Sequence, residues 1–397
     1  MKNGKALDLR GVDLRGEGLL RRAACMVLAL VLGLGLFACS APAATDKPAD
    51  TPAADTPAEP TDDSAEEDDA TEAASAVIDL AGREVTFAAP VERAAAIAGP
   101  SYEKVFMLGQ ADRLAGVHFV MIDRPWVVET NPDVSQCTAI ESPGEPNVEG
   151  LIELGTDAVL FWDYEEPLAA MEQAGLPVVV VQNSVGNPTT AEEFIDYQKR
   201  EVQVFADTFG GTALDKAADW EAYFDEKVAY VRSRVASIPD AERKTAVYCY
   251  GEEGLGVFST YSYPSFWLEL AGGRNIADES GAEMDTVVTM EQMIAWDPDF
   301  VFMGRMEGTE AVTDAAAWAE MQAVQQGNVY LCPDGVMFWD YSSEGVLLME
   351  YLAQKMYPEL FEDLDMVAEV QDYYRSFYGY DLSAENAQRI LDHLPPA

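Results

Sequence analysis

The stretch that decides the fold is residues 212–236, TALDKAADWEAYFDEKVAYVRSRVA. Its apolar residues recur every three or four positions and therefore share one helical face; they are Leu214, Ala217, Trp220, Phe224, Val228, Val231 and Val235. The pattern predicts one helix of about 25 residues, roughly 37 Å long. Gly210 and Gly211 precede it, Thr212 is the predicted N-cap, and Pro239 marks its end.

Strand and helix patterns alternate on both sides of this predicted helix. We interpret it as a connector between two α/β lobes, with the alternative of an ordinary long core helix. The expected divisions are 77–211 for the N-terminal lobe, 212–238 for the bridging helix and 239–397 for the C-terminal lobe with a helical tail. In this interpretation the ligand cleft lies between two mostly parallel sheets.

The first 38 residues have the features of an export signal. A basic segment precedes the short apolar run 23–37, which ends in Leu36-Phe37-Ala38-Cys39. This pattern resembles a bacterial lipoprotein signal and predicts that Cys39 becomes the lipid-modified first residue. A plain secretory signal with an incidental cysteine is the alternative. Residues 39–76 are mainly Ala, Pro, Thr, Asp and Glu, which predicts a disordered acidic tether.

The 397-residue chain has a formal net charge of -45. Such a charge argues against direct binding of nucleic acid or anionic lipid head groups. Three cysteines remain after Cys25 and Cys39, namely Cys137, Cys249 and Cys332, and three do not make a disulfide framework. Cys249 and Cys332 both end strand-like runs and could pair, but free buried thiols are the expectation.

Both flanking segments can be divided into elements. The first contains a predicted hairpin at 78–87, strands at 93–98, 114–120, 158–162 and 178–182, and helices at 102–109 and 190–207. The second contains strands at 245–250, 300–304 and 328–332, a helix at 263–272, and a helical tail from 342 with breaks near Pro358 and Gly379.

One segment occurs twice. Residues 147–159, NVEGLIELGTDAV, align without gaps with residues 289–301, TMEQMIAWDPDFV. Each copy opens with a helix-capping residue and has a glutamate two positions later, Glu149 or Glu291, in the first turn. Two convergent helix starts are the plain explanation, whereas the shared length and spacing favour two related lobes.

Several stretches together resemble the substrate-binding lipoproteins of ABC importers of the ferric siderophore and cobalamin class. They are the two Glu-containing segments, DLAGREVTF at 79–87, LGQADRLAGV at 108–117, AVQQGNVY at 323–330, YPELF at 357–361 and FYGYDLS at 377–383. The resemblance covers residues 77–397 and rests on their order rather than on one motif. It implies two lobes joined by one long helix, with the ligand between them.

The resemblance also implies a membrane permease as partner and a lipid anchor outside the cytoplasm. One glutamate on each lobe would engage permease arginines, and these fall on Glu149 and Glu291. Stabilisation of a helix N-terminus is the other role open to each carboxylate. The protein is expected to act as a monomer and to bind a small-molecule metal chelate.

Ligands of open α/β sheets bind beyond the carboxyl ends of the strands. Aromatic side chains concentrate at these ends and suit a bulky chelate, and Arg305 could pair with an anionic or carbonyl-rich ligand edge. The candidate ligand contacts are Tyr102, Trp126, Trp162, Tyr164, Tyr250, Phe258, Tyr261, Arg305, Trp339 and Tyr341.

The sequence favours a binding protein over an enzyme. No Gly-x-Ser-x-Gly elbow is present, and only His118 and His393 supply imidazole. The same scarcity of His argues against a metal site in the protein itself, with His118 kept as a possible haem ligand. Few basic residues favour a ferric hydroxamate or a corrinoid over a highly anionic catecholate. A surface hydrolase or chelatase and a non-transport adhesin are the alternatives of other classes.

Overall fold

The computed structural model describes residues 75–182 and 187–397. The predicted signal at 1–38, the lipidated Cys39 and nearly all of the tether lie outside these residues. The first described strand begins at Ser75, two residues before the expected lobe boundary. No helix within the described ranges is long and apolar enough to cross a membrane.

The N-terminal lobe contains a hairpin, a parallel sheet and the helices around it. The strands are β1 Ser75–Ile78, β2 Glu84–Phe87, β3 Ala94–Ala96, β4 Leu114–His118, β5 Thr138–Ile140, β6 Ala158–Trp162 and β7 Val178–Gln182. The helices are α1 Ser101–Met107, α2 Pro125–Thr130, α3 Val148–Glu153, α4 Glu165–Gln173 and α5 Ala191–Phe209.

The sheet of this lobe has the order β5-β4-β3-β6-β7, and every pair in it is parallel. All five residues of β6 and of β7 are buried, as expected for strands covered on both faces. The predicted hairpin is confirmed as the antiparallel pair β1–β2. Its turn is tied to the sheet by the buried carboxylate of Asp79, which accepts bonds from the Arg83 side chain and from the Val180 N–H.

Helix α6, Thr212–Val235, is the predicted long helix. Its buried stripe runs from Ala213 to Val235, and at its centre Trp220 stacks on Phe224 with ring centroids 5.0 Å apart. Two details differ from the expectation. The N-cap is Gly211, whose φ of 54° favours glycine, so Thr212 is the first helical residue. Leu214 is 42% exposed and lies outside the stripe.

The C-terminal lobe is built on a second sheet. Its strands are β8 Thr245–Tyr250, β9 Gly256–Phe258, β10 Arg274–Asn275, β11 Asp285–Val287, β12 Phe300–Met303 and β13 Val329–Leu331. Its helices are α7 Tyr263–Leu270, α8 Met290–Trp296, α9 Glu310–Thr313, α10 Gln322–Gln326, α11 Gly345–Met356, α12 Met366–Tyr373 and α13 Ala384–Leu391.

This second sheet repeats the first only in part. The order is β11-β9-β8-β12-β13, with β10 also paired to β8. Strands β8, β10, β12 and β13 pair in parallel, whereas β9 and β11 are antiparallel. The expected pair of related α/β lobes is confirmed, and the β8-β12-β13 half corresponds to β3-β6-β7, whereas the antiparallel half of the second sheet has no counterpart in the first.

The repeated sequence segment is a repeated piece of structure. In each lobe a short helix, α3 or α8, leads into a central strand, β6 or β12. Asp157 accepts hydrogen bonds from the backbone N–H groups of Glu92 and Arg93, just before β3. Asp299 likewise accepts from the backbone N–H of Thr245, the first residue of β8. The same acid therefore ties the same two strands together in both lobes.

The tail packs against both lobes. The expected breaks are present: α11 ends before Pro358, and a π-helical turn at Tyr374–Tyr378 stops at Gly379, which has a φ of 63°. The three cysteines of the described chain are free thiols, and Cys249 and Cys332 are buried without pairing.

Candidate ligand cleft

The carboxyl ends of the two sheets face each other. Gln182 ends β7 in the N-terminal lobe, and its Oε1 accepts a hydrogen bond from the hydroxyl of Tyr341 in the C-terminal lobe. Carboxyl ends of parallel strands are where ligands of open α/β sheets bind. We call the region between these two ends the cleft.

The N-terminal wall of the cleft is aromatic. Trp162 is the last residue of β6, and its indole N–H donates to Gln182 Oε1 at 2.8 Å. Tyr164 stacks on Trp162 with centroids 5.4 Å apart and planes 15° apart. The His118 ring meets Trp162 edge-on at 6.5 Å. Trp162 is buried beneath the half-buried Tyr164, so the two stacked rings form the aromatic end of β6.

The C-terminal wall is built around Arg305. Its Nε and Nη2 donate to Asp340 Oδ2 at 3.0 and 2.6 Å. Its guanidinium lies 5.0 Å from the ring centroids of both Phe258 and Tyr341 and 5.9 Å from that of Phe338. Burial lowers the pKa of Arg305, but the Asp340 carboxylate outweighs that effect and raises it. The Arg305 guanidinium therefore stays charged and lies among three aromatic rings.

The backbone supports a functional interpretation of this wall. Arg305 has a φ of 58° and Tyr261 a φ of 69°, both in the left-handed region. A side chain there costs about 1–3 kcal/mol and persists where the surroundings enforce it, most often at binding sites. Two of the ten candidate residues carry this strain.

A second ion pair near the cleft, between Arg124 and Asp334, joins the two lobes. Arg124, just before α2, pairs with Asp334 and donates to the carbonyl of Val336 at 3.1 Å. Its guanidinium lies 4.5 Å from the Phe338 ring centroid. Both cations of this region, Arg124 and Arg305, are therefore matched by a carboxylate.

The structure brings six of the ten candidates together. Trp162, Tyr164, Arg305, Tyr341 and Phe258 form the chain of contacts just described. Tyr250 joins them through its ring, 4.9 Å from that of Phe258, while its hydroxyl donates to Asp285 at 2.6 Å. Tyr261 is half-buried near the same wall, in the turn after Phe258.

The other three candidates are buried in contacts of their own. Tyr102 accepts a bond from the Asn131 amide at 3.0 Å. Trp126 belongs to α2 rather than to a loop, and its indole donates to the carbonyl of Leu394 at 3.1 Å. Trp339 is 1% exposed and donates to Glu344. These contacts hold the tail and the core in place and do not join the aromatic chain.

His118 is 1% exposed, and its Nδ1 accepts from the backbone N–H of Val120 at 3.3 Å. The ring thereby caps the turn at Phe119–Met121. The buried ring therefore packs against Trp162, and its role as a haem ligand stays a prediction. Within the part of the chain that the structure describes, no three His, Cys, Asp or Glu side chains are grouped to hold a metal ion.

Sequence reasoning missed Gln182, Asp340 and the Arg124–Asp334 pair. Gln182 carries a signal, because it is the polar residue that closes the buried run VVVVQ at a carboxyl end. Asp340 lies between two predicted aromatics, and no periodicity marks it. The Arg124–Asp334 pair joins residues 210 positions apart, so its signal exists only in the folded chain.

A separate cavity of about 600 Å³ lies between β13 and helices α11, α12 and α13. Lys355 lies in it, with its Nζ 5.0 Å from the ring centroids of Tyr330 and Tyr351. None of the candidate ligand contacts lines this cavity. This cavity is therefore separate from the cleft.

Known proteins share this chain's sequence pattern and fold. The family model for periplasmic binding proteins matches residues 95–336. The molybdate-binding protein MolA of Haemophilus influenzae is 26% identical over 264 residues, 61% of this chain and 73% of that protein. The iron(3+)-hydroxamate-binding protein FhuD of Bacillus subtilis is 23% identical over 235 residues, 55% of this chain and 68% of that protein.

Solved structures agree on the fold. A periplasmic solute-binding protein from Veillonella parvula superposes with a TM-score of 0.69 at 20% identity, covering 81% of this chain and 97% of that one. Molybdate-bound MolA gives the same score and identity, covering 78% of this chain and 99% of its own. These relatives are binding proteins and not enzymes. The chain therefore belongs to the periplasmic binding protein family, the extracytoplasmic solute-binding components of ABC transporters.

Proposed function

We propose that this protein captures a ferric hydroxamate-type chelate in the cleft and delivers it to the permease of an ABC importer. The observation that carries the proposal is a pair of aromatic groups, Trp162 with Tyr164 on one lobe and Tyr341 with Phe258 around Arg305 on the other, which Gln182 joins by hydrogen bonds. Apolar walls with a few placed polar groups suit a bulky, weakly polar ligand.

Charge balance supports the hydroxamate over a catecholate. Three hydroxamates, each with one negative charge, neutralise Fe³⁺, whereas three catecholates leave a large negative charge. The cleft offers Arg305 and Arg124, and both are already paired with Asp340 and Asp334. A site with little net positive charge favours a neutral complex, whose metal-bound oxygens accept hydrogen bonds from the guanidinium edge. The hydroxamate ligand of FhuD agrees with this choice.

Delivery would use the export and docking features of the sequence. Lipidation at Cys39 and the acidic tether hold the folded domain near the membrane, where a permease is within reach. Glu149 and Glu291 lie in the exposed first turns of α3 and α8, one on each lobe. Paired carboxylates in these positions would steer and orient a partner that offers arginines.

Tryptophan fluorescence of the full chain tests the ligand class. We expect a ferric trihydroxamate to quench the emission at a saturable site, and ferric catecholates, haem, a corrinoid and molybdate to bind more weakly. Trp162→Phe is expected to weaken binding, because its indole forms the wall and fixes Gln182. Trp126→Phe is the matched control, since that indole is committed to Leu394 and lies outside the aromatic chain.

Preference for molybdate would replace the chelate with a small oxyanion and contradict the proposed ligand. Preference for haem or a corrinoid would keep the transport role and change the cargo. An equal loss of affinity in the Trp162 and Trp126 variants would show that the ligand does not bind specifically in the cleft.

A further inference from the structure

Two matching isoleucines are exposed on the two lobes. Ile152 on α3 is 49% exposed and Ile294 on α8 is 54% exposed. They occupy equivalent positions of the repeated segment. Folding normally places such side chains inside, and a single exposed apolar residue needs no explanation. An exposed isoleucine at the same position of both copies is a repeated feature of the surface.

Each isoleucine lies beside a glutamate. Glu149 and Ile152 are three positions apart on α3, and Glu291 and Ile294 are three apart on α8, so each pair shares one helical face. Neither carboxylate forms an ion pair within the described residues. Each helix therefore presents an exposed isoleucine beside the glutamate of its first turn, and α3 carries a second exposed glutamate, Glu153.

The opposite side of each helix is fixed to its lobe. Leu151 is 1% exposed and Met293 is fully buried, each directly before the exposed isoleucine. The following strands are held by Asp157 and Asp299 in the same manner. The two Glu–Ile pairs are thus rigidly mounted on equivalent elements, which suits a partner that recognises both at once.

We propose that Ile152 and Ile294 form, with the adjacent Glu149 and Glu291, two equivalent docking contacts for a membrane permease built from two like halves. Each half would bring a cation to the glutamate and an apolar pocket to the isoleucine. The carboxylates then provide steering and register, while burial of the isoleucines slows release. This inference rests on the proposed transport role and adds an apolar contact to it.

If docking depended on charge alone, positions 152 and 294 could carry polar side chains. Position 152 is followed by Glu153 and position 294 by Ala295, both exposed, so solvent-facing positions of these helices do carry other residues. Elsewhere in the described chain, Leu214 on α6 is 42% exposed and has no counterpart in a repeated segment. Leu214 therefore provides a matched control for removal of an exposed apolar side chain.

The test measures binding of the lipid-free protein to its own system's permease and ATPase in nanodiscs, at low and high salt. Ile152→Ser with Ile294→Ser is compared with Glu149→Gln with Glu291→Gln and with Leu214→Ser. We expect the affinity of the double isoleucine variant for the permease to fall by about tenfold for each of the two changes, because each removes one aliphatic side chain that docking would bury. The loss should persist at high salt, whereas the glutamate pair should account for the salt dependence.

Thermal unfolding and chelate affinity are measured on the same samples and should match the wild type, since both isoleucines are exposed and neither takes part in the contacts of the cleft. Docking of the isoleucine variant at wild-type strength, while the glutamate variant is impaired, would overturn this inference and leave the transport role intact. Failure of the wild type to bind the permease at all would overturn both.

Discussion

The Glu344 carboxyl group is buried between the tail and the core, directly before α11. Burial first, and then the nearby Glu103 carboxylate, raise its pKa to about 8. Its oxygens accept hydrogen bonds from the Met337 N–H, the Trp339 indole and the Tyr374 hydroxyl. Asp334 also lies near enough to oppose ionisation. The native state therefore keeps a proton that the unfolded chain releases at about pH 4.5.

We expect Glu344 to make the protein less stable as the pH rises. Between about pH 4.5 and pH 8 the native state holds one more proton than the unfolded state, so the free energy of unfolding falls across this window and levels off above it. Chemical denaturation at several pH values measures the slope. Glu344→Gln should flatten it in part, because Glu350, with a pKa also raised to about 8, retains its share. An unchanged slope in the variant would contradict the prediction.

Individual site residues were predictable where their position in the sequence carried the information. Trp162 is the last residue of the buried strand β6 and Arg305 comes two residues after the buried strand β12, and the rule for carboxyl ends then favours a place in the cleft for both. Trp339 also lies near a strand end, but its ring is in the core, since strand ends supply core residues as well as ligand contacts. Gln182 joins the two lobes because it accepts a hydrogen bond from Tyr341, 159 positions away. A partner at that separation cannot be identified from the local sequence pattern.

At the scale of elements, the repeated aspartates explain how strand order is held. Asp299 accepts from the Thr245 N–H at 2.8 Å, from its hydroxyl at 3.0 Å, and from the Gln322 amide at 2.7 Å. Asp299→Ala leaves these donors without their acceptor. We expect a loss of about 1–3 kcal/mol in the free energy of unfolding, measured by urea denaturation.

The equivalent change in the first lobe, Asp157→Ala, removes the acceptor for the Glu92 and Arg93 N–H groups and should cost a similar amount. Glu320→Ala, at an exposed position of the same lobe as Asp299, is the control and should change stability by less than about 0.5 kcal/mol. Wild-type stability in both aspartate variants would show that these hydrogen bonds do not stabilise the two sheets.

Elements with a strong apolar pattern were predictable from the sequence, and short strands without such a pattern were not. The predicted bounds of β6, β7 and β8 match the structure, and α6 ends within one residue of its expectation. Strands β5, β9, β10 and β11 were missed, because they lack the continuous apolar run that marks the equally short β3 and β13. The missed β9 and β11 are the antiparallel strands, so the mixed character of the second sheet was missed with them.

At the scale of the whole molecule, a buried carboxylate joins the lobes. Glu103 on α1 is fully buried and accepts hydrogen bonds from the backbone N–H and hydroxyl of Ser343 and from the Tyr378 hydroxyl at 2.8 Å. Both partners belong to the C-terminal part of the chain. Two lobes and a connecting helix could be predicted from the sequence, but this contact could not, because 240 residues separate its partners.

These cross-lobe bonds predict that the cleft changes little when it is loaded. The helix α6, the Glu103 contacts and the Arg124–Asp334 pair all resist hinge opening, so movements of about 1–2 Å are expected rather than large closure. Small-angle scattering of free and ligand-saturated protein should give superposable profiles. Glu103→Ala removes the buried acceptor and is expected to expand the free state, so that the two profiles then differ.

Arg124→Ala provides a second variant in case the Glu103 change prevents folding, because its ion pair is closer to the surface. Its free state should expand by less, since Ser343 remains bound to Glu103. A wild-type protein whose radius of gyration falls markedly on loading would contradict the rigid arrangement. The bonds between Glu103 and Ser343 would then have to break and re-form in every transport cycle, and a fully buried carboxylate left without its donors makes that opening costly.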